Sequence, residues 1–287
     1  MTPRILIVAG SDSGGGAGIQ ADIKTVTMLG GHAMTAVTAI TAQNTLGVQA
    51  VMPVPTEMVI AQIDSVVGDI GVDAVKIGMI GSAETAEAVA ERLESLAVPI
   101  VFDPVMVATS GSELADKATI AAFGRLMRIA SVVTPNLPEL AALGGEEAVL
   151  SHGCHLLAKG GHAEGHEIVD RLISPSGARC ELRGKRFETN DTHGTGCTLA
   201  SALATGLGRG FGIDKAFAQA ISFVRIAIIE ALACGVPVVA TDCPSANREV
   251  IEEGRPRLVG SGDEVLEANA VRSLRVLAER PIAPGLV

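Results

Sequence analysis

The residues best suited to chemistry in this chain form the sequence T-H-G-T-G-C at 192–197, which the small-residue helix pattern T-L-A-S-A-L-A-T-G-L-G follows directly. Gly194 and Gly196 let the backbone turn tightly and expose its N–H groups, and the helix that starts there adds the positive end of its dipole. We therefore expect an anion at this turn. A phosphoryl group in transfer is the anion that most needs such a site, because its catalysis rests on positioning and charge stabilisation.

Cys197 lies in the first turn of this predicted helix, where the helix dipole lowers the pKa of a thiol and favours the thiolate. Cys197 is therefore a candidate base or nucleophile. The alternative is that the two glycines only form a tight loop and that Cys197 is a small buried residue. The motif by itself does not separate these two hypotheses.

Polar loops follow the first two predicted strands. An apolar run at 4–10 predicts a buried strand that ends at Gly10, and the glycine-rich loop S-D-S-G-G-G-A-G then leads into a helix at about 19–29. Its glycine spacing is neither that of a dinucleotide loop nor that of a Walker loop. The second strand, at 33–38, is followed by T-A-Q-N-T at 41–45. These side chains either form hydrogen bonds to the polar edge of a ligand or belong to an ordinary polar loop.

Further strands are predicted at 48–52, 74–77, 99–102, 131–134 and 155–158, with helices at about 55–67, 83–95 and 114–128 between them. This alternation predicts an α/β fold with a central, mainly parallel sheet and helices on both faces. Ligands bind at the carboxyl ends of such strands, so Gly10, Gln43, Met79 and Asp103 are expected to share one crevice. A hairpin at 167–173 and 180–187 and a final core helix from about 213 complete the domain.

Two loops after later strands carry candidate phosphate and metal groups. Asn136 and Glu139, in T-P-N-L-P-E, can hold a hydrated Mg²⁺ against phosphates, or they can form an ordinary helix capping box. Lys159, in K-G-G-H, can meet the phosphates of a nucleotide. Both loops are predicted to lie at the same edge of the sheet as the crevice.

Composition and charge narrow the function classes. The 287 residues are rich in Ala, Val, Ile and Leu and lack Trp and Tyr, which favours one large α/β domain with buried parallel strands. A net charge of −10 argues against nucleic acid or an anionic membrane as a partner. No stretch reaches the ~18 uncharged apolar residues of a membrane span. The five cysteines lack any C-x-x-C pair, and no export signal is visible, so we expect reduced thiols in a soluble cytoplasmic protein.

The motifs together resemble a known family. AGSDSGGGAGIQAD, ITAQNT, VKIGMIG, DPVM, TPNLPE, KGGH and THGTGCTLASA occur in the order found in hydroxymethylpyrimidine/phosphomethylpyrimidine kinases, the thiamin-pathway members of the ribokinase-like superfamily. The resemblance runs from Ile5 to about Ile228. It implies a ribokinase-like fold, ATP, Mg²⁺, and phosphorylation of 4-amino-5-hydroxymethyl-2-methylpyrimidine to its monophosphate and then its diphosphate. It also suggests a homodimer, since small relatives commonly pair across the sheet edge.

The resemblance assigns roles residue by residue. It implies that the pyrimidine is bound by Gly10, Asp12, Gln43, Met79 and Val105, with the Gln43 amide on the ring edge. It places Lys159, Asn136 and Thr192 on the nucleotide side and makes Glu139 and Asp103 the metal candidates. It makes Gly194, Thr195 and Gly196 the anion hole and Cys197 the base that receives the hydroxyl proton. The alternatives are a pyridoxal or pyridoxine kinase of the same superfamily, and a catalytically impaired ligand-binding relative.

The C-terminal part departs from this family. The sequence E-A-L-A-C-G-V-P-V-V-A-T-D-C-P-S at 230–245 resembles the donor-site segment of a GT-B glycosyltransferase, and the likeness extends over about 229–280. A piece of about 50 residues cannot build a two-domain transferase, since each half needs about 100 or more. We therefore predict a kinase domain at 1–228 and an atypical segment at 229–287, with one strand at 236–240 and one helix at about 263–278.

Overall fold

The computed structural model of the protein describes residues 2–108, 114–162, 167–185 and 193–233. These residues all lie in one compact unit and form an α/β architecture, a nine-stranded sheet with helices on both faces. The predicted fold class is confirmed. Within the described ranges, no helix combines the length and apolar character needed to cross a bilayer.

The element bounds are as follows. The strands are β1 (Arg4–Asp12), β2 (His32–Asn44), β3 (Gly47–Pro53), β4 (Ala74–Ile77), β5 (Ile100–Phe102), β6 (Val132–Val133), β7 (His155–Ala158), β8 (Glu167–Ile173) and β9 (Arg179–Lys185). The helices are α1 (Gly18–Met28), α2 (Thr56–Asp69), α3 (Ala83–Leu93), α4 (Lys117–Ile129), α5 (Leu137–Ala142), α6 (Glu146–Leu150), α7 (Thr195–Gly208) and α8 (Ile213–Ala233), with a short 3₁₀ turn at Gly160–His162.

The sheet has the order β3-β2-β1-β4-β5-β6-β7-β8-β9. The neighbouring strands β2-β1-β4-β5-β6-β7 pair in parallel, whereas β3, β8 and β9 add antiparallel edges. Because the parallel strands run the same way, their carboxyl ends and the loops that follow them meet at one edge of the sheet.

The central strand β1 shows why the sheet is covered on both faces. Ile5, Ile7 and Ala9 belong to the core that packs under α1, α7 and α8. Leu6 and Val8, which point the other way, belong to the core under the helices from α2 to α6. A strand that is apolar on both faces is typical of a buried parallel sheet. The run R-I-L-I-V-A-G therefore specifies a central strand.

For two elements the structure shows why a boundary differs from the prediction. Strand β2 continues to Asn44 instead of ending near 38, because β3 pairs antiparallel with it, so the T-A-Q-N segment is strand and not loop. Helix α4 starts at Lys117 instead of 114, because the Asp116 carboxylate caps it by accepting a hydrogen bond from the Thr119 N–H (2.8 Å). The predicted strand at 236–240, the helix at 263–278 and residues 186–187 of the hairpin lie outside the described residues.

Candidate active site at the carboxyl edge of the sheet

The charged side chains predicted to handle phosphate and metal lie together at the ends of β5 and β7. Lys159 Nζ donates a hydrogen bond to Asp103 Oδ1 (2.8 Å) and lies 3.7 Å from Glu139 Oε2. The Thr134 hydroxyl donates to the same Asp103 oxygen (2.9 Å). A Cβ added at Gly196 would lie 3.2 Å from Lys159 Nζ and 3.5 Å from Asp103 Oδ2. Because Gly196 has no side chain, the turn can lie directly over this ion pair.

The electrostatics keep this pair charged. Burial raises the pKa of Asp103, but Lys159 and Lys76 outweigh that effect and hold it below its ordinary value. Burial lowers the pKa of Lys159, but Asp103 and Glu139 more than compensate and raise it. For Glu139, burial outweighs the attraction of Lys159 and raises the pKa of the carboxyl. The site therefore presents a cation between two carboxyl groups.

Asn136 and Glu139 form the capping box that was the alternative to a metal site. The Asn136 side-chain oxygen accepts from the Glu139 N–H, and Glu139 Oε2 accepts from the Asn136 N–H, both at 2.8 Å. This reciprocal pair starts α5 and fixes the Glu139 side chain against Lys159. Asn136 thus acts on the site through the helix terminus that it caps.

The side chains at this site suit a metal ion that binds together with a phosphate group. In the described ranges, no three His, Cys, Asp or Glu side chains are gathered closely enough to hold an ion by themselves. Asp103 and Glu139 nevertheless provide two carboxyl groups beside one cationic side chain. Mg²⁺ keeps several waters and is commonly bound through one or two carboxylates together with substrate phosphates. The residues present fit that mode of binding.

The predicted anion turn has the backbone that its glycines require. Gly194 adopts φ = 87°, in the left-handed region, and precedes α7 as its N-cap residue. A Cβ at this position would collide with the Gly16 carbonyl oxygen. The turn therefore packs against the glycine-rich loop after β1, and the two loops can approach each other only because Gly194 has no side chain.

Cys197 departs from the expectation of a thiolate. Protein atoms packed around this partly exposed side chain raise the pKa of its thiol to about 11. Lys76 acts in the opposite direction, while Asp22 and Asp103 add to the increase. Desolvation and the two carboxylates outweigh the helix dipole and the ammonium. The prediction that the helix terminus lowers this pKa is wrong for the unliganded protein, because it considered the helix but neither the burial of the thiol, which has the largest effect, nor the acidic groups around it.

Several residues predicted to line a pocket are neighbours at the ends of β1 and β4. A Cβ added at Gly10 would lie 3.0 Å from Met79 Sδ, so the two residues are in contact. The Thr38 hydroxyl holds this segment by donating to the Met79 carbonyl oxygen (2.6 Å). Val105, half-buried, follows Asp103 by two residues and donates its N–H to the Asp103 carbonyl (2.8 Å). The pocket candidates thus sit beside the charged site.

Asp12 shapes the glycine-rich loop. Its Oδ1 accepts the Gly14 N–H (2.8 Å), and its Oδ2 accepts the N–H groups of Gly16 (3.0 Å) and Ala17 (2.8 Å) and lies 3.0 Å from His193 Nε2. Burial raises the pKa of Asp12, but these hydrogen bonds outweigh it and hold the pKa below its ordinary value. Both oxygens of this carboxylate are therefore hydrogen-bonded to groups of the protein.

Gln43 lies next to this loop. Its side-chain nitrogen lies 3.2 Å from His193 Nε2, and its side-chain oxygen accepts a hydrogen bond from the Thr41 hydroxyl (3.2 Å). Gln43, the residue expected to bind the pyrimidine edge, is therefore in contact with His193, which directly precedes the anion turn. Thr192 lies outside the described residues.

Comparisons with known proteins agree with this geometry. Residues 12–242 match the family described as Phosphomethylpyrimidine kinase. The chain belongs to this family. It is 45% identical over 243 residues to a hydroxymethylpyrimidine/phosphomethylpyrimidine kinase of Rhizobium meliloti, covering 79% of this chain and 91% of the relative. It is 48% identical over 240 residues to the kinase of the same description from Streptomyces coelicolor, covering 79% and 88%.

Solved structures show the same ribokinase-like fold. The phosphomethylpyrimidine kinase from Clostridium difficile is 35% identical, with a TM-score of 0.68 over 79% of this chain and all of that chain. An ADP complex of a pyridoxal kinase from Bacillus subtilis is 31% identical, with a TM-score of 0.73 over 79% of this chain and 92% of that chain. The predicted family and fold are confirmed, and the chain is a phosphotransferase.

A family comparison also supports the resemblance of the C-terminal part to glycosyltransferases. Residues 215–276 match the family described as Glycosyl transferases group 1. This match overlaps the kinase match between 215 and 242 and begins inside α8.

The sequence reasoning missed a buried ionic cluster beneath Cys197. Lys76 Nζ donates to Asp22 Oδ2 (2.8 Å), and both side chains are fully buried. Ser201, one helical turn after Cys197 on α7, donates its hydroxyl to Asp22 Oδ1 (2.7 Å). The cluster ties β4, α1 and α7 together below the anion turn. A lysine inside the apolar run A-V-K-I was the available signal, because a buried lysine needs a partner.

Proposed function

We propose that this kinase transfers the γ-phosphoryl group of ATP to 4-amino-5-hydroxymethyl-2-methylpyrimidine and then to the resulting monophosphate. The observation that carries the proposal is the placement of the Gly194–Gly196 turn directly over the Lys159–Asp103 pair. Gly10 and Met79, which are proposed to line the substrate site, are in contact at the same edge of the sheet. This arrangement combines an anion-binding turn, a cation and carboxylates with a half-apolar pocket, which are the parts that phosphoryl transfer to a small heterocycle requires.

Each group has a proposed role. The N–H groups at the start of α7 bind the transferring phosphoryl group, with Gly194, Thr195 and Gly196 as the anion hole. Lys159 faces the nucleotide phosphates, Thr192 is assigned to nucleotide binding by its sequence position alone, and Asn136 orients Glu139. Asp103 and Glu139 would hold Mg²⁺ through its waters. The ion, when bound, neutralises charge on the phosphate oxygens.

Cys197 is the proposed acceptor of the substrate hydroxyl proton. With a thiol pKa of about 11 in the unliganded protein, a preformed thiolate is scarce at neutral pH. Proton transfer therefore contributes less than the positioning of the two substrates over the charged pair. Replacing Cys197 with Ala should reduce turnover while leaving pyrimidine binding in place.

The competing activity is phosphorylation of pyridoxal or pyridoxine, since a structural neighbour is a pyridoxal kinase. We would incubate the protein with ATP and Mg²⁺ and, in parallel, with the hydroxymethylpyrimidine or with pyridoxal, and identify the products by mass spectrometry. Successive mono- and diphosphates of the pyrimidine are expected. Pyridoxal phosphate as the sole product would replace the proposed substrate.

A matched variant links the reaction to the site. Gly196→Ala places a methyl group 3.2 Å from Lys159 Nζ, in the space where the phosphoryl group is proposed to bind. Gly161→Ala is the control, because its Cβ would meet nothing within 4 Å although it lies two residues after the same lysine. Loss of product in Gly196→Ala with retention in Gly161→Ala is expected. Equal activity of both would contradict the assigned phosphate position.

Assembly, location and domain limits are also proposals. We propose a homodimer that pairs at the β2–β3 edge, because Ile40 (48%), Leu46 (86%) and Met52 (59%) are exposed there. Free thiols at Cys154, Cys180 and Cys197 support a cytoplasmic location. The kinase domain is proposed to comprise 1–228, with 229–287 as a separate, atypical segment.

A further inference from the structure

Asp170 is a buried carboxyl group with no assigned role in phosphoryl transfer. It lies on β8 and is only 7% exposed. Side chains two apart on a strand share a face, and Leu172 belongs to the core that packs under α1, α7 and α8. A carboxyl group on such a face needs polar partners, because burial without them is costly. Its two oxygens find these partners in the turn after β7 and in α8.

One oxygen fixes the backbone beside Lys159. Asp170 Oδ1 accepts a hydrogen bond from the Gly160 N–H (3.0 Å), which belongs to the peptide bond that directly follows Lys159. Gly160 also packs so closely on β8 that an added Cβ would collide with the Val169 carbonyl oxygen. On the preceding side, the Lys159 N–H donates to the Pro135 carbonyl oxygen (3.0 Å). The lysine is therefore anchored through both of its peptide bonds.

The other oxygen of Asp170 faces an arginine of α8. Arg225 Nη2 lies 3.5 Å from Asp170 Oδ2. The guanidinium is fixed by the hairpin, since it donates to the carbonyl oxygens of Arg183 (3.1 Å) and Leu182 (3.4 Å). It also lies against Gly184, where an added Cβ would be 2.6 Å from Arg225 Cζ. Arg225 is thus held over β9 with one edge toward the buried carboxyl group.

The charges reinforce this chain of contacts. Burial raises the pKa of Asp170. The Gly160 N–H acts in the opposite direction, and so do the positive charges of Arg225 and Lys159. Arg225 therefore favours the ionised form of the carboxyl group, and an ionised acceptor holds an N–H group more strongly than a neutral one. The anchor beside Lys159 thus depends on a cation from a distant part of the chain.

We infer that Arg225 is a positioning residue for the nucleotide site: it supports Asp170, and Asp170 holds the peptide bond that determines where the Lys159 side chain starts. This inference rests on the proposed role of Lys159 at the nucleotide phosphates. Without nucleotide, the Lys159 ammonium is bound to Asp103 (2.8 Å). Phosphates compete with that carboxylate for the ammonium, so the backbone anchors keep the lysine within reach of both.

The test measures ATP in the full-length protein, as the Kd of ATP with Mg²⁺ by calorimetry and as the KM for ATP. Arg225→Met keeps an unbranched side chain and removes the charge. Both constants should rise about fivefold, the effect of one lost contact, while the KM for the pyrimidine stays unchanged. Arg225→Lys keeps the charge and should recover part of the loss. Arg183→Met is the matched control on β9, because its side chain is 60% accessible and should leave ATP binding unchanged.

A double-mutant cycle separates positioning from general support of the hairpin. Asp170→Ala should weaken ATP binding about tenfold, because it removes the acceptor of the Gly160 N–H itself. Adding Arg225→Met to that variant should change little further, since its partner is already gone. Additive effects of the two substitutions, or an equal rise in the KM for both substrates, would mean that Arg225 only holds β9 and would overturn the inference.

Lys159→Met distinguishes failure of this inference from failure of the proposed function. Weaker ATP binding is expected in Lys159→Met and in Arg225→Met. Weaker binding in Lys159→Met alone would refute the role of Arg225 and leave the proposed role of the lysine standing. Unchanged binding in Lys159→Met would exclude that proposed role, and the inference that rests on it would fall as well.

Discussion

Removing Asp22 is predicted to destabilise the protein strongly, because this carboxyl is the partner of a fully buried ammonium. Lys76 stays charged, since the carboxylates that face it outweigh burial and raise its pKa. Burial raises the pKa of Asp22, which still accepts from Lys76 (2.8 Å) and Ser201 (2.7 Å). Asp22→Ala therefore leaves a buried cation and a buried hydroxyl without their acceptor.

The expected magnitude follows from these contacts. Breaking a buried ion pair by removing one partner costs about 3–5 kcal/mol. Asp103 also attracts Lys76, which places the expected loss at about 3 kcal/mol. Ser201→Ala removes only one hydrogen bond to the same carboxylate and should cost about 1 kcal/mol. The exposed Arg183–Glu167 pair, with side chains 60% and 61% accessible, is the control for an ordinary surface ion pair, which contributes little to stability.

The assay is urea unfolding followed by circular dichroism at pH 7, with the double variant Asp22→Leu/Lys76→Met included. Replacing both partners with apolar side chains should recover most of the stability that Asp22→Ala loses, because no unpaired charge remains. A loss below about 1 kcal/mol in Asp22→Ala, or a double variant less stable than the single one, would refute the reasoning.

Three further results are expected. Gly194→Ala should abolish turnover while the circular dichroism spectrum is retained, because the added Cβ collides with the Gly16 carbonyl oxygen. The control Gly177→Ala should stay active, since Gly177 has a similar φ but open surroundings. Alkylation of Cys197, followed by peptide mass mapping, should be slow at pH 7 and rise about tenfold per pH unit toward a pKa of about 11, and a plateau by pH 8 would contradict the raised value. Met52→Glu at the β3 edge should shift the protein from dimer to monomer in light scattering, whereas Ile70→Glu should not; a dimer in both would exclude this edge as the interface.

The order of strands and helices was predictable because it depends on local patterns. Apolar runs such as 4–10 and 74–77 alternate with amphipathic stretches, and this alternation permits few arrangements other than a parallel sheet between two helix layers. The end of β2 was not predictable in the same way. Three of the residues 41–44 are polar, and the segment becomes strand only because β3 pairs with it.

The candidate site was predictable as a set of residues but not as a network. Strand ends in a parallel sheet meet at one edge, so the proximity of Asp103 and Lys159 followed from their positions after two such strands. The contact between His193 and Gln43, which are 150 residues apart, depends on how two loops pack and leaves no local signature.

The sequence by itself determined the family, the sheet and the glycine turn, since these depend on apolar periodicity and on residues that permit special backbone angles. The tertiary structure alone decided the protonation states. The helix position of Cys197 favoured a thiolate, but desolvation together with Asp22 and Asp103 raises the pKa of its thiol. Electrostatic effects are the sum over all neighbouring charges and the water that is excluded, and both exist only once distant segments have packed together.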